Sequence, residues 1–514
     1  MNRPPDAMSR LEARQPNRRP EPRRSGAGPL VVLAIFALVP ALALYAVFVW
    51  SSSKIDDNEA APPPPTTIVA PPLPDEPLRN SMLTFRRMPA LVARGLNVDQ
   101  FVADVAPFLA TINDRSCATV SVDGNPVGSA NGDVAVIPAS TAKIVVAAVA
   151  LEQLGADRVF TTRVFSGATP DDGVIEGDLV LLGGGDPLLS SDWYPTSGLE
   201  PRPVFDATSL DTLADRVQAA GVTQVTGSVL GDGSRYDDEF FAPGWGNGVA
   251  GLEAGPYDSL IANDARVFGE ERRGDNPNSA AAREFTRLLS ERGVVVTGEP
   301  GVGLVADVAD EPVELASIES VPLAGVIAEM LTNSDNNTAE LLVKEIGLEA
   351  VGEGEGTRDA GVAAMTEQLE QWGVDTTNIV LADGSGLSLD NRLTCNALVA
   401  VLQRSGSSET IGAALPIAGE TGTLADVFTD HPVAGRLLGK TGTLNNPPFN
   451  QDPPAVKALA GYLPVEGGGA VEYALVLNGP TISDQSEYRP VWNELADALD
   501  TYPSGASPAD VGLR

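Results

Sequence analysis

The 514-residue chain holds a single histidine, His431, and only two cysteines, Cys117 and Cys395. A zinc site built from several histidines is therefore impossible, and a Ser-His-Asp hydrolase would have to use His431. That residue lies in "FTDHPVAGR", which reads as a turn with a structural role. The cysteines show no CxxC or other metal-ligand spacing. Both one disulfide and two buried thiols fit them. Basic residues are scarce: 34 Lys and Arg stand against 69 Asp and Glu, a formal net charge of −35. Such a surface repels phosphate and argues against nonspecific nucleic-acid binding. Charge is also missing from one long run, "PLVVLAIFALVPALALYAVFVW" at 29–50.

That run is long enough to cross a bilayer's hydrocarbon core. Tyr45 and Trp50 suit an interface, and the arginines among residues 1–28 favour a cytoplasmic N-terminal tail. "VFVWSSSK" is a poor cleavage site, so an uncleaved anchor is expected over a signal peptide. Residues 51–77, with "APPPPTTIVAPPLPDEP", form a proline-rich stalk that cannot build helix or sheet. The rest lies outside the cytoplasm in either case, making the protein a single-pass cell-membrane protein or a secreted one.

Apolar residues make up 43 % of the chain, enough for a substantial core, and the length implies more than one domain. "CATVSVDGNPVGSAN" alternates about Asp123-Gly124, a hairpin signal. "GVIEGDLVLLGGGDPLL" and "VTQVTGSVLGDGS" read as strands; "SLDTLADRVQAAG" and "SAAAREFTRLLSERG" read as helices stopped by glycine. "PLAGVIAEMLTNSDNNTAELLVKEIG" reads as two helices with a polar break. Strands are expected at "AGRLLGKTGTL", "AVKALAGYLP" and "AVEYALVLNG", the last two as an antiparallel hairpin, and a closing helix within "SDQSEYRPVWNELADALDTY".

"PASTAKIVVAAVALEQLG" at 138–155 predicts a buried helix, apolar nearly all round, ending at Gly155. It opens with Ser140 and Lys143, three apart and so on one face. A desolvated lysine favours the neutral amine, and a neutral amine beside a hydroxyl is a general base beside a nucleophile. Alone, the pair reads equally as an N-cap and a lysine reaching for solvent. Ser334-Asp335-Asn336 sits in the break between two helices and offers a hydroxyl and an amide; alone it reads as a loop, with Asn337 and Glu340 starting the next helix in the manner of a capping box. Lys440-Thr441-Gly442-Thr443 lies on a strand to which an extended peptide could add, with Gly442 admitting a substrate backbone and the lysine and threonines holding a carboxylate.

SxxK, SDN and KTG in this order are the signature of penicillin-binding proteins and class A β-lactamases, and the sequence resembles the penicilloyl-serine transferase superfamily. Ser334 follows Ser140 by 194 residues and Lys440 follows Ser334 by 106. The long first gap resembles peptidase family S13, the DacB or penicillin-binding-protein-4 type of D-alanyl-D-alanine carboxypeptidase, as do "IPASTAK", "LLGGGDPLL", "ADGSGLS", "LPIAGETGTL" and "GKTGTL…ALAGYL". The resemblance covers about 91–499. It implies an α/β (α+β) fold: a β-lactamase/transpeptidase-like antiparallel sheet with flanking helices from 78–155 and 321–502, interrupted by inserted α/β material at 156–320, with 503–514 as a tail.

The resemblance further implies that Ser140 attacks the penultimate D-alanine carbonyl of a peptidoglycan stem peptide while Lys143 takes its proton. Ser334 relays a proton to the leaving amine, Asn336 binds substrate and orients Lys143, and Lys440 lowers the Lys143 pKa and attracts the terminal carboxylate. Thr441 and Thr443 bind that carboxylate, with an oxyanion hole at the Ser140 and Thr443 N–H groups. No cofactor or metal is called for, and β-lactams are expected to acylate the serine. Cleavage of cross-links with the same stereochemistry is an additional expectation. The rival readings are a serine β-lactamase or esterase on the same scaffold and a degenerate wall-binding protein. A β-lactamase would need a deacylating Glu in an ExxLN-like motif, and "TEQLEQWG" supplies Glu367 without the asparagine.

Overall fold

The computed structural model describes residues 88–507 apart from 201, 203, 246–248, 446–454, 466–468, 483 and 506. The expected membrane span and stalk lie outside the described residues.

After helix α1 (Met88–Leu109), strands β1 (Cys117–Val122) and β2 (Asn125–Ala130) form the expected hairpin, with Asp123 and Gly124 both at positive φ (46° and 77°). A 3-10 turn (Ala139–Ala142) leads into α2 (Lys143–Leu154), which Gly155 ends. Then follow β3 (Thr161–Ser166), β4 (Leu179–Leu182), α3 (Leu210–Ala219), β5 (Val229–Asp232), α4 (Pro277–Glu291), β6 (Gly301–Val302) and β7 (Val313–Glu319). Next come α5 (Leu323–Asn333), α6 (Asn336–Val351), α7 (Arg358–Gln371) and α8 (Cys395–Ser405). The chain closes with β8 (Leu438–Leu444), β9 (Ala455–Pro464), β10 (Ala470–Gly479) and α9 (Gln485–Asp500).

Two five-stranded sheets organise this mixed α/β fold. The first is antiparallel in the order β8-β9-β10-β1-β2, so the N-terminal hairpin pairs with the last strand (Cys117 opposite Val476). Its central strands are apolar on both faces because both are covered. Leu459, Tyr473 and Leu475 pack with Phe101 of α1 and Trp492 of α9, while Ala458, Ala460 and Val476 pack with α2 and α8 residues such as Val145 and Leu398. The second sheet, β6-β5-β4-β3-β7, lies wholly within 161–319; β6, β5 and β4 are parallel, and β3 and β7 antiparallel. Its core joins Val164, Leu181 and Val229 to Leu213 of α3 and Phe285 of α4.

Cys117 and Cys395 form a disulfide, Cα to Cα 5.8 Å, joining the first residues of β1 and α8 across a sequence separation of 278. His431 pairs with Asp497 of α9 (3.1 Å) and accepts from the Val433 N–H, a structural arrangement. Ser504 and Gly505, placed in a tail by the sequence, instead hydrogen-bond to Asp104 and Asn97 of α1, which supplies the acceptors that a free chain end lacks.

Candidate active site

The segment read as the start of an α-helix is the 3-10 turn, and the α-helix begins at Lys143. Ser140 is thus not a helix N-cap. In 3-10 geometry residues three apart eclipse, which aligns Ser140 and Lys143 more closely than an α-turn would. Ala139 takes φ 49°, a left-handed conformation that costs a non-glycine residue roughly 1–3 kcal/mol unless its surroundings impose it. They do so here. Asn478 of β10 brackets Ile137, accepting from its N–H (2.9 Å) and donating to its C=O (3.1 Å), and Thr141 Oγ1 donates to Pro138 O (2.7 Å). A Cβ at Gly442 would lie 2.9 Å from Pro138 O, and one at Gly386 2.0 Å from Ala139 O. Gly442 therefore lets β8 close on the serine turn. Gly386 is at φ 82° besides. Gly386→Ala should displace the serine turn and slow penicillin acylation by about 10²-fold, the cost of a misplacement near 1 Å, read as the second-order rate of adduct formation. An unchanged rate would mean that the 383–391 loop does not position Ser140.

Lys143 is fully buried. Its Nζ lies 3.0 Å from Ser140 Oγ, 2.8 Å from Asn336 Oδ1 and 2.6 Å from Ser385 O. The last two are carbonyl oxygens, which only accept. They engage two N–H bonds, and the third position faces a hydroxyl that can itself donate. Deprotonated, Lys143 keeps both carbonyl contacts and turns its lone pair to Ser140. Burial lowers the Lys143 pKa to about 8, against the opposing pull of Asp335, Glu340 and Asp383.

Ser334 caps α5 in the left-handed region (φ 65°), breaking the helix so that α6 starts afresh. Asp335, whose carboxylate accepts from Thr338 N (2.6 Å), is the N-cap of α6. No capping box forms. Asn337 instead accepts from Gly255 N (2.7 Å) and donates to Asp264 (2.7 Å). Glu340 accepts from Gly384 N (3.2 Å) and Ser385 N (2.7 Å). Asn336 donates through Nδ2 to Glu253 O (2.8 Å), so the connection between β5 and α4 orients this amide.

β8 is the edge of the first sheet. Gly439 N–H points away from β9, to Pro416 O (3.0 Å). By strand alternation the N–H groups of Thr441 and Thr443 face the same open edge. Lys440 is buried and donates to Ser334 Oγ (2.8 Å) and Thr441 O (2.8 Å), joining the second and third motifs. Burial holds its pKa well below the ordinary lysine value, with the positive charges of Lys143 and Arg202 adding to the effect. Burial is the principal cause at Lys143, and the two buried lysines each disfavour the other's charge. Thr441 Oγ1 donates to Thr423 Oγ1 (2.7 Å).

All eight residues singled out from the sequence thus converge on one place. Asp383, Ser385, Thr423 and Glu253 were not singled out, and Glu340 was read only as part of a helix start. Asp383 accepts from Gly386 N (2.9 Å), Ser388 N (2.6 Å) and Trp245 Nε1 (2.8 Å), fixing the loop whose Ser385 carbonyl meets Lys143. For Asp383, Ser385 and Thr423 the signals were "ADGSGLS" and "LPIAGETGTL", where glycines flank polar residues; Glu253 has no such signal. Glu367 is exposed on α7, where its carboxylate accepts from Gln371 Nε2 (3.2 Å). Among the described residues no group of His, Cys, Asp or Glu could hold a metal ion.

The model of the D-Ala-D-Ala carboxypeptidase 3 (S13) family matches residues 97–254 and 257–501. The chain is 30 % identical over 436 residues to a D-alanyl-D-alanine carboxypeptidase of Actinomadura sp. (strain R39), covering 69 % of this chain and 76 % of that one. It is 31 % identical over 414 residues to carboxypeptidase DacB of Mycolicibacterium smegmatis, covering 76 % and 82 %. In fold it is similar to penicillin binding protein 4 (dacB) from Haemophilus influenzae, with a TM-score of 0.62 at 20 % identity over 77 % of this chain and 99 % of that one.

Proposed function

The chain belongs to the D-Ala-D-Ala carboxypeptidase S13 family, and from that premise we propose that it is a serine-type D-Ala-D-Ala carboxypeptidase acting on peptidoglycan stem peptides through an acyl-enzyme at Ser140. The observation that carries this reading is the set of partners around Lys143 Nζ: two carbonyl oxygens and the Ser140 hydroxyl.

The chemistry follows from the geometry. Lys143, neutral, accepts the Ser140 proton as Oγ attacks the penultimate D-alanine carbonyl. The negative charge on the carbonyl oxygen is met by the N–H groups of Ser140 and Thr443, donors worth roughly 3 kcal/mol each in such sites. The C–N bond then breaks, and the leaving D-alanine amine takes, through the Ser334 hydroxyl bonded to Lys440, the proton that Lys143 removed from Ser140; this leaves Lys143 neutral to take a proton from the incoming water and return it to Ser140 Oγ. Thr441 and Thr443 hold the terminal carboxylate at the open edge of β8. Water cleaves the ester and restores Ser140. A cross-link with the same stereochemistry fits the same steps, which makes the endopeptidase reaction a second activity of this site. A β-lactam acylates Ser140 and leaves slowly; the exposed position of Glu367 counts against rapid turnover.

The finer organisation belongs to the same proposal. Residues 78–155 and 321–502 form a transpeptidase-like catalytic domain, 156–320 an insertion, and 29–50 a membrane anchor that places the catalytic part outside the cytoplasm at the end of the 51–77 stalk. The charge-free run and the proline content support this reading.

The test is a fluorescent penicillin with the parent protein and Ser140→Ala. A stable adduct on the parent alone, followed by D-alanine release from a stem-peptide analogue, is the expected result. Consumption of penicillin without an adduct would favour a β-lactamase, and no adduct with penicillin intact a degenerate wall-binding protein.

A further inference from the structure

Lys457 of β9 stands directly opposite Thr443 in the sheet register. Its Nζ donates to Thr443 Oγ1 (3.2 Å) and rests over the Tyr488 ring, 4.8 Å from its centroid. Arg489 sits over the same ring at 5.6 Å and bonds the Tyr488 hydroxyl. Neither cation has a carboxylate partner among the described residues. That is unusual in a chain where acidic residues outnumber basic ones two to one. Burial and the neighbouring Arg489 both disfavour the Lys457 charge, yet among the described residues no carboxylate pairs with it.

We propose that Lys457 is a positioning residue for the substrate's free carboxylate, acting through Thr443 and through its own unneutralised charge; the proposal rests on the carboxypeptidase reading of the site. An ammonium group has no acceptor, so in the Lys457–Thr443 contact the threonine oxygen must accept. The Thr443 proton is then left to donate elsewhere, and the open edge of β8 is where a carboxylate would meet it. Without Lys457 the hydroxyl would be free to rotate and to present a lone pair to that carboxylate. The Lys457–Arg489 pair also supplies a local positive field beside Thr443, in a chain that is otherwise strongly anionic. Lys440 cannot fill this role alone, because it is buried and its ammonium already serves Ser334 and Thr441.

The experiment compares a stem-peptide analogue ending in D-Ala-D-Ala with the same peptide carrying a C-terminal amide, on the parent protein, Lys457→Gln and Lys457→Arg. Lys457→Gln should raise KM for the carboxylate peptide by about tenfold, the loss of one charge-assisted contact. The loss should fall on KM rather than kcat, spare the amide, and be largely restored by Lys457→Arg. Added salt should narrow the parent's preference for the carboxylate peptide, because the partly exposed charge is screened. Equal losses on both peptides would reduce Lys457 to a structural residue and overturn the inference. So would a Lys457→Gln protein that matches an active parent, and in that case the reading of the site itself would stand. A parent that neither releases D-alanine nor takes up penicillin would overturn both.

Discussion

Lys143→Met should lower the rate of Ser140 acylation by at least 10³-fold while the protein still unfolds cooperatively near the parent's midpoint. A positioned general base contributes typically 10²–10⁴-fold, and among the described residues Lys143 is the side chain hydrogen-bonded to Ser140 Oγ. The parent should carry the signature of the same group. Only the neutral amine is a base, so acylation is fully present above the Lys143 pKa of about 8 and falls about tenfold for each pH unit below it. The groups facing Lys143 are Asp335, Glu340, Asp383 and Lys440. Glu340, raised by burial and by Asp383 to about 7, is ionised where Lys143 titrates. Glu340→Gln keeps an acceptor for the Gly384 and Ser385 N–H groups but removes a negative charge that favours the ammonium. The rise should therefore move to lower pH, giving a variant that outperforms the parent in mild acid. Second-order acylation rates by penicillin across the interval around pH 8 read both effects. A parent profile flat through that interval would show that Lys143 is not the titrating base.

Loss of the Cys117–Cys395 bond should cost about 2–5 kcal/mol of stability, at the upper end of what disulfides contribute, because it closes a loop of 278 residues. The cross-link joins β1, an inner strand of the first sheet, to α8 on its covered face. Everything between them, including the whole second sheet, is held inside the loop. Paired Cys117→Ala and Cys395→Ala substitutions remove the constraint on the unfolded chain without leaving a lone thiol. Urea unfolding should show a lower midpoint with an increased slope, since the unlinked chain expands further. Penicillin acylation of the folded variant should persist, because neither cysteine touches Ser140, Lys143 or Lys440. Coincident unfolding curves for the oxidised protein and the double variant would remove the bond from the stability account.

The three motifs were legible because each breaks a local rule that the surrounding sequence makes visible. Lys143 interrupts an apolar run, Ser334-Asp335-Asn336 interrupts a helical period, and Gly442 interrupts a strand. The hairpin at Asp123-Gly124 and the stop at Gly155 were legible from turn chemistry alone. The 3-10 start at Ala139 was not. Its geometry is imposed by Asn478, Gly386 and Gly442, more than 200 residues away, and alanine carries no local sign of a positive φ. Glu340 was read as a helix-start residue because in sequence it sits where a capping carboxylate would sit. In the fold Asp335 takes that task, and Glu340 is free to bind the loop at 384–385. Lys457 was invisible for the same reason: its neighbours are Thr443 and Tyr488, brought together by strand pairing and by the packing of α9.

The pairing of β1 with β10 also sets a clock on synthesis. Ser121 and Glu472 share a hydrogen bond across 351 residues. At ~5–20 residues per second, the ribosome needs roughly 20–70 s to supply the second after the first. Through most of that interval the Ser140–Lys143 segment exists without Lys440, and through all of it without Asn478 to bracket Ile137. A nascent chain therefore carries its nucleophile long before it can use it, and hydrolysis begins only when the last strand has been delivered. Truncated products, even those lacking little more than β10 and α9, are born harmless to the substrate that the finished protein cuts.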